Sequence, residues 1–264
     1  MSTSARSAPA LRRIEPSAVG AVVFRELTMY RRYWRSTSFS SVVEPTIYLL
    51  AFGFGFGSLV AQVGGYDYLD FVGTGIVATG VLFSSAFPGM FATFVKRTFQ
   101  KTYDAVLAAP VDTAELVTAE AVWIALRSGV YGGVPLVIAI GFGLDASPGM
   151  LLVPFIGILT GFGFALFGIW ISAVVPSIDS FNYVISAVLT PLFLVAGTFF
   201  PIDGLPEWAG TAALLNPLYH CVELVRAASF GLSVSDLGHV AALAGFAAAM
   251  WFLAVRRMRS RLVL

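Results

Sequence analysis

Six apolar stretches run through this 264-residue chain, and they constrain its fold more than any other feature. A helix needs about 20 largely apolar residues to cross about 30 Å of hydrocarbon. The stretches show no period-two alternation, and backbone groups in lipid must be satisfied within each span, so the spans are predicted to be helices. They cover roughly residues 39–61, 69–95, 116–141, 149–175, 180–201 and 237–255.

The low charge content supports a membrane location. Only 12% of the residues are charged and 58% are hydrophobic, whereas ordinary soluble domains carry about a quarter charged residues. Such a chain has too few charged side chains to cover a water-facing surface on all sides. The sequence therefore predicts an all-α integral membrane protein with six transmembrane helices.

Basic residues set the expected orientation. Fourteen of the sixteen lysines and arginines precede the first span, lie between the second and third spans, or follow the last span. With six spans, these clusters fall on one side of the membrane, which the positive-inside rule assigns to the cytoplasm. Both termini are expected there, with residues 1–16 as a flexible N-terminus and 17–264 as a single transmembrane domain. A composition rich in alanine, glycine, valine and arginine suggests a bacterial source, and hence the bacterial cytoplasmic membrane.

The segment 17–35 before the first span has one apolar and one basic face. Its apolar stripe consists of Val19, Val22, Val23, Leu27, Tyr30 and Trp34. Aromatic residues with arginines at a membrane entry point are typical of an interfacial anchor. The segment is therefore predicted to be an N-terminal interfacial helix.

A charged segment, "KRTFQKTYDAVLAAPVDTAEL" at 96–116, separates the second and third spans. Pro110 disfavours helical geometry at the preceding residue, so a short helix is expected to end there. Asp112, three positions before Glu115, predicts a capping box at the start of the third span. The short helix would either rest on lipid headgroups or dock a soluble partner. Its predicted apolar face consists of Phe99, Tyr103, Val106 and Leu107.

Three ionisable residues fall within the predicted spans, namely Glu44, Glu120 and Arg127. Each costs roughly 3 kcal/mol or more at the bilayer centre. Glu120 and Arg127 are seven positions apart, two helical turns, so each is expected to pair with another helix rather than with the other. Whether these charges are structural or functional is left open, and no chain of carboxylates at the midplane suggests proton or sodium coupling.

Small residues four apart let helices approach closely. Gly53 and Gly57 form one such pair, and Gly161, Ala165 and Gly168 form a second small face. Either could be an internal packing surface or a subunit contact.

The segment from about 202 to 236 is too long and too apolar for a plain solvated loop. Pro201, Pro206 and Pro217 divide it into short apolar pieces. This pattern favours broken or re-entrant helices on the outer face, before the last span.

The sequence contains no motif for ATP hydrolysis and no set of residues with the spacing of a zinc site. The phosphate-binding pattern GxxxxGK[ST] has no match, so the chain does not bind and hydrolyse ATP by that route. Cys221 is the single cysteine, and His220 and His239 lie nineteen positions apart without further ligands nearby. A zinc site is therefore not expected.

Three stretches together resemble the membrane subunits of ABC-2 type exporters, and in particular the NodJ-like permeases associated with lipo-oligosaccharide export. They are "EPTIYLLAFGFGFG" at 44–57, "YDAVLAAPVDTAELVTAEAVWIALRS" at 103–128 and "FFPIDGLPEWAGTAALLNPLYHCVELVRA" at 199–227. The third stretch is the most specific of the three.

The resemblance implies two permease copies, as a homodimer, that form one pathway and each dock on a separate ATP-binding subunit holding ATP and Mg. It implies that the segment after the second span is a coupling helix received by that ATPase. The residues carried over to this contact are Phe99, Tyr103, Asp104, Ala105, Leu107 and Pro110. Glu120 and Arg127 match positions where relatives often carry an acid and a base. The residues that match the outer re-entrant motif are Pro201, Leu205, Pro206, Asn216, Pro217, Glu223 and Arg226.

The function expected from the resemblance is export of an amphiphilic substrate: a lipid-linked glycan, a lipo-oligosaccharide or a hydrophobic drug. The expected partners are the ATP-binding subunit, a second permease copy, membrane lipid and the substrate, with no nucleic acid and no cofactor on this chain. Two alternatives remain at this point. One is an ion-coupled secondary transporter, and the other is a membrane enzyme with His220 and Glu223 as an acid–base pair.

Overall fold

The computed structural model describes residues 14–57, 59–60, 62–202 and 207–262. The helices are α1 (Pro16–Leu50), α2 (Tyr68–Phe87), α3 (Thr93–Thr98), α4 (Thr102–Leu107), α5 (Thr113–Gly141), α6 (Val153–Val174), α7 (Phe181–Val184), α8 (Thr190–Leu194), α9 (Glu207–Leu214), α10 (Pro217–Phe230) and α11 (Leu237–Leu262). A two-residue hairpin of β1 (Gln62–Val63) and β2 (Tyr66–Asp67) pairs antiparallel before α2, with Gln62 opposite Asp67.

Four helical stretches in the described part of the chain are long and apolar enough to cross a bilayer. Each overlaps one of the predicted spans, so the helical, multi-pass membrane architecture is confirmed. The first stretch joins α2 to α3 through a π-helical turn at Pro88–Ala92. The four stretches are Tyr68–Thr98, Thr113–Gly141, Pro148–Val174 and Val234–Leu262.

The predicted interfacial helix and the predicted first span form one continuous helix. Helix α1 runs from Pro16 to Leu50 and continues as a π-helix over Ala51–Phe56. At 1.5 Å per residue, about 40 residues extend about 60 Å, which is longer than the hydrocarbon is thick. The sequence offers no reason for a break near residue 36, because Pro45 is the only proline or glycine between Gly20 and Gly53.

The apolar stripe of α1 also packs against protein, which the interfacial prediction did not include. Val22 is buried in the core, with Val19 and Val23 partly buried beside it. Trp34, at the far end of the stripe, is exposed. The beginning of α1 is therefore a part of the helix bundle.

The predicted span 180–201 is shorter than expected. The helical region runs only from Ile178 to Leu194, and the chain then turns through Gly197 with a positive φ of 77°. Within this region Ile185–Leu189 is π-helical, which accommodates Pro191 because proline lacks the N–H for a regular helical bond. Seventeen residues at 1.5 Å each give about 25 Å, so this piece alone falls short of a full span.

Helix α6 lies at the centre of the bundle, and small residues bring its neighbours close. A Cβ on Gly168 would lie 2.5 Å from the Ala86 carbonyl oxygen of α2, and one on Gly161 would lie 2.0 Å from Ser128 Oγ of α5. A Cβ on Gly89 would in turn lie 2.6 Å from the Ala165 carbonyl oxygen. The small face of α6 at Gly161, Ala165 and Gly168 is therefore an internal packing surface rather than a subunit contact.

Two buried clusters mark the two ends of the bundle. One contains Val22, Tyr103, Leu116 and Met258, and it lies at what we call the α4 end. The larger one includes Phe71, Leu218 and Val225 and continues to what we call the α10 end. The residues carried over from the resemblance fall at these two ends.

Candidate functional site

Helix α5 begins with the predicted capping box. The Ala114 amide donates to Asp112 Oδ1 over 2.8 Å, and the Asp112 amide donates to Glu115 Oε2 over 2.8 Å. Arg259 of α11 adds an ion pair to Asp112 Oδ1 at 2.8 Å. The turn after α4 is thus tied to the start of one membrane helix and the end of another.

Helix α4 is separated from α3 by a backbone reversal. Lys101 adopts a left-handed conformation with a φ of 53°, the only positive φ among the described residues other than glycine. Phe99 lies before this reversal and is 66% exposed. The prediction of one continuous apolar face from Phe99 to Leu107 is therefore wrong, because the helical periodicity is interrupted between them.

The inner side of α4 is occupied by the protein's own core. Tyr103 is only 1% exposed, and Val106 and Leu107 pack partly buried against the same cluster. Burial, together with the nearby Glu120 carboxylate, raises the pKa of the Tyr103 hydroxyl well above its usual value, so it is a neutral phenol. The carried-over residues Asp104 and Pro110 remain exposed at the surface.

A charge cluster with two buried carboxylates joins α1, α3 and α5 beside Tyr103. Lys96 Nζ lies 2.7 Å from Glu26 Oε2 and 2.8 Å from Glu120 Oε2. Arg25 contacts the other oxygen of Glu26 at 2.7 Å. Glu120 is 1% exposed and Glu26 is 7% exposed. We call Arg25, Glu26, Lys96 and Glu120 the charge cluster; its formal charges balance.

The expectation that Glu120 pairs with another helix is confirmed, but its partners were not foreseen. Lys96 was expected only as one of the basic residues between the second and third spans that set the orientation, and Glu26 was not among the predicted site residues. One signal was present: Glu26 is the only carboxylate between Glu15 and Glu44, in a segment rich in arginine. A lone acid there indicates a specific partner.

Of the other two predicted intramembrane charges, Arg127 and Glu44, the structure describes the side chain of Arg127. Arg127 is partly buried near the Tyr30 and Tyr131 hydroxyls. Tyr131 is hydrogen-bonded to Tyr30 and, over 2.8 Å, to Ser38. The Glu44 side chain lies outside the described ones.

At the α10 end, the carried-over motif begins with a helix cap. Asn216 Oδ1 accepts a hydrogen bond from the Leu218 amide over 2.9 Å, and Pro217 occupies the first turn of α10. Asn216 Nδ2 donates to the Leu192 carbonyl over 2.8 Å. Asn216 and Pro217 therefore start α10 and attach it to the end of α8. Leu205 and Pro206 of the same motif lie outside the described residues.

Arg226 connects three parts of the α10 end through its guanidinium group. Its guanidinium donates to the Gly197 carbonyl over 2.7 Å and to Glu223 Oε1 over 3.2 Å, and it lies 3.8 Å from the centroid of the Phe71 ring. Burial lowers the pKa of Arg226 from its ordinary value, while Glu223 acts in the opposite direction. An open cavity of about 340 Å³ lies beside these groups and is also lined by Pro201.

The two histidines, 19 positions apart in the chain, are in contact. His220 Nε2 donates to the Leu214 carbonyl over 2.9 Å, so its Nδ1 accepts a hydrogen bond from His239 Nδ1, 2.7 Å away. This contact joins α10 to α11. The residues that the structure describes contain no group of three or more histidine, cysteine or acidic residues that could hold a metal.

The arrangement does not favour acid–base chemistry by His220 and Glu223. Both His220 nitrogens are engaged, and Glu223 is paired with Arg226. Cys221 next to them is buried, and burial raises the pKa of its thiol to about 12. A thiol with such a pKa is protonated at neutral pH and is a poor nucleophile.

Comparison with known proteins points to transport. The profile of the ABC-2 type transporter family matches residues 17–230. Nodulation protein J of Rhizobium leguminosarum bv. trifolii is 32% identical over 235 residues, covering 87% of this chain and 90% of that protein. Nodulation protein J of Sinorhizobium fredii is 30% identical over the same coverage. The inner membrane transport permease YadH of Escherichia coli is 26% identical over 218 residues, covering 82% of this chain and 84% of that protein.

The family match spans α1 to α10 and so includes both ends of the bundle. Its named relatives include a transport permease, which makes this a family of transporters and not of enzymes. An ABC permease of this family works with an ABC ATP-binding subunit. On these grounds the chain belongs to the ABC-2 type transporter family, as a multi-pass membrane permease.

Proposed function

We propose that this chain is the permease half of an ATP-driven exporter in the bacterial cytoplasmic membrane. Two copies would form the pathway, with α4 as the coupling helix of each copy and ATP and Mg held by the separate ATPase. The substrate would be amphiphilic: a lipid-linked glycan, a lipo-oligosaccharide or a hydrophobic drug. The family match supports the exporter class, and the resemblance of the three motifs supports the substrate class.

The observation that carries the proposal is the two-sided construction of α4. Asp104, Ala105 and Pro110 are exposed and available to a soluble partner, together with Phe99. Tyr103 on the opposite side is buried against the membrane helices. One side of α4 is thus open to a partner while the other packs against the bundle. A coupling helix needs both contacts to transmit movement from the partner to the membrane helices.

The docking residues divide into two roles within this proposal. The exposed Phe99, Asp104 and Pro110 would contact the ATPase. Tyr103 and Leu107 would act as positioning residues, because their side chains hold α4 on the core. Movement of α4 would then reach the membrane helices through Tyr103 and the adjacent charge cluster.

At the α10 end, the motif residues would form the outer closure of the pathway. Arg226 clamps the turn at Gly197 to α10, and Asn216 attaches α10 to α8. These contacts hold the short pieces after the interrupted 178–194 helix against α2. Alternation between packed states would require a rearrangement of such contacts.

The test is co-purification of the chain with its ATPase in mild detergent. We expect a stoichiometric subunit with a phosphate-binding loop to accompany the unmodified chain and to be lost from Ala105→Arg. The matched control is Ala21→Arg, the same substitution at an exposed position of α1. Both variants should remain monodisperse, since neither position is buried.

The outcomes separate the claims. Retention of the ATPase by Ala105→Arg would show that α4 is not the docking element. Loss from both variants would indicate a general effect of added charge. If the unmodified chain arrives alone, under conditions that preserve other ABC complexes, the exporter proposal fails and ion-coupled transport becomes the better hypothesis.

A further inference from the structure

The arginines at the end of α11 divide into two pairs with different surroundings. Arg259 pairs with Asp112 at 2.8 Å, and Arg261 Nε donates to the Ala173 carbonyl at the end of α6 over 3.0 Å. Arg256 and Arg257 instead have exposed side chains. Arg259 and Arg261 therefore attach α11 to neighbouring elements, whereas Arg256 and Arg257 present their guanidinium groups at the surface.

Arg256 and Arg257 line an open groove of about 410 Å³ between α11 and α6. Leu253 and Ser260 flank them at spacings that place all four residues on one side of α11. Trp170 of α6 forms the opposite wall. The groove therefore has an apolar wall and two adjacent guanidinium groups.

The surface leading to this groove is apolar and exposed. Val240, Ala244, Ala248 and Phe252 follow one another at four-residue intervals, all of them exposed, and the next position in the series is Arg256. The span that contains them has only 22% of its most apolar window buried, against 50% to 67% for the other three. A helix this apolar and this little covered by its own chain is suited to face the hydrocarbon.

The change from Phe252 to Arg256 therefore marks the boundary of the bilayer. Tryptophan side chains such as Trp170 favour that depth. Arginine binds phosphate through two parallel N–H donors, and basic pockets between membrane helices on the cytoplasmic side bind anionic headgroups. The groove thus offers cations at headgroup level and an apolar path for acyl chains below them.

We propose that this groove binds an anionic phospholipid, with Arg256 and Arg257 holding the phosphate and Trp170 and Leu253 contacting the upper acyl chain. The bound lipid would bridge α6 and α11 next to the contact that Arg261 makes with Ala173. The inference does not rest on the proposed function, since it needs only that α11 crosses a membrane.

The charge of the groove alone would also suit an acidic protein surface. The lipid is favoured because the groove continues into the exposed apolar face of α11, which a soluble partner would not reach. If the ATPase binds at this position instead, the variant Arg256→Gln/Arg257→Gln will lose the ATPase and keep its lipid.

The test is native mass spectrometry of the full chain, with any co-purifying subunit retained, titrated with phosphatidylglycerol or phosphatidylcholine. We expect a preference for phosphatidylglycerol that Arg256→Gln/Arg257→Gln weakens about 30-fold, since each arginine contributes about fivefold near an anionic headgroup. Arg256→Lys/Arg257→Lys should retain most of the binding. The control, Lys101→Gln, removes a charge from an exposed residue of the α4 end outside the groove and should leave this preference largely unchanged.

A second readout leaves the arginines intact. Phosphatidylglycerol with brominated acyl chains should quench tryptophan emission more than brominated phosphatidylcholine does, and Trp170→Phe should remove the excess. Equal weakening by both glutamine variants, or no preference between the lipids, would overturn the site. So would a glutamine variant that keeps its lipid but loses the ATPase, because the groove would then be a protein contact.

Discussion

At the scale of single residues, the charge cluster illustrates how a membrane protein accommodates buried ions. Lys96 lies between two carboxylates that are almost inaccessible to water, Glu26 and Glu120, each within 2.8 Å. Two carboxylates this close to one lysine would repel each other in its absence. Removal of the lysine should therefore lower the free energy of unfolding by more than the attraction of the ion pair alone, because a buried carboxylate is left without a compensating charge.

We predict that Lys96→Met lowers the stability of the purified protein by about 3–5 kcal/mol, the usual range for a broken buried pair. Glu120→Gln should cost less, since the amide oxygen can still accept from Lys96. Lys101→Met is the control, because Lys101 is exposed and surface changes usually stay within about 0.5 kcal/mol. Thermal unfolding in detergent is the measurement. A similar loss for Lys101→Met and Lys96→Met would contradict the argument.

At the scale of helices, glycines determine how closely α6 approaches α2 and α5. The gap at Gly168 is closed by backbone atoms of α2 and of the π-helical turn that follows it, namely the Ala86 carbonyl oxygen and the Gly89 backbone. Backbone atoms cannot move aside as a flexible side chain does, so any Cβ at this position must push the helices apart. Helices in lipid gain much of their association energy from this close packing.

We predict that Gly168→Val destabilises the bundle by about 1–3 kcal/mol or more, the cost of overpacking a well-filled interior. The same substitution at Gly245 of α11 is the control, since a Cβ there meets nothing within 4 Å. Folded yield and thermal unfolding in detergent measure the effect. Equal behaviour of the two variants would mean that α2 and α6 are not in contact as described.

At the scale of the whole molecule, the proposed orientation in the membrane would give each end its role. The α4 end carries Lys96, Lys101 and the arginines at the end of α11, so by the positive-inside rule we expect it to face the cytoplasm. The α10 end would then face outward. The single cysteine provides a convenient background for testing this, because Cys221 is buried and its thiol pKa is raised to about 12.

We predict that the unmodified chain in right-side-out vesicles does not react with a membrane-impermeant maleimide. Ser235→Cys, at an exposed position before α11, should react from outside, whereas Ala105→Cys should react only after permeabilisation. Labelling followed by gel shift is the measurement. The reverse accessibility of the two engineered cysteines would invert the proposed orientation and remove α4 from the side where ATP is hydrolysed.

Local features of the fold were predictable because they depend on neighbouring residues. The capping box at Asp112 and Glu115 and the four spans in the described part of the chain follow from short-range patterns. The reversal at Lys101 was not predictable, since lysine rarely adopts a positive φ and surrounding packing must impose it. For that reason Phe99 and Leu107 were wrongly placed on one helical face.

The sequence by itself determined that this is a helical membrane protein and which family it belongs to, because hydropathy, basic residues and motifs are properties of the chain alone. Only the tertiary structure decided which side chains meet. Glu26 and Lys96 are 70 positions apart, and His220 and His239 are 19 apart, yet each pair is in contact. The physical reason is that a buried charge or hydrogen bond must find a partner wherever helix packing brings one, and that packing is set by shape across the whole bundle.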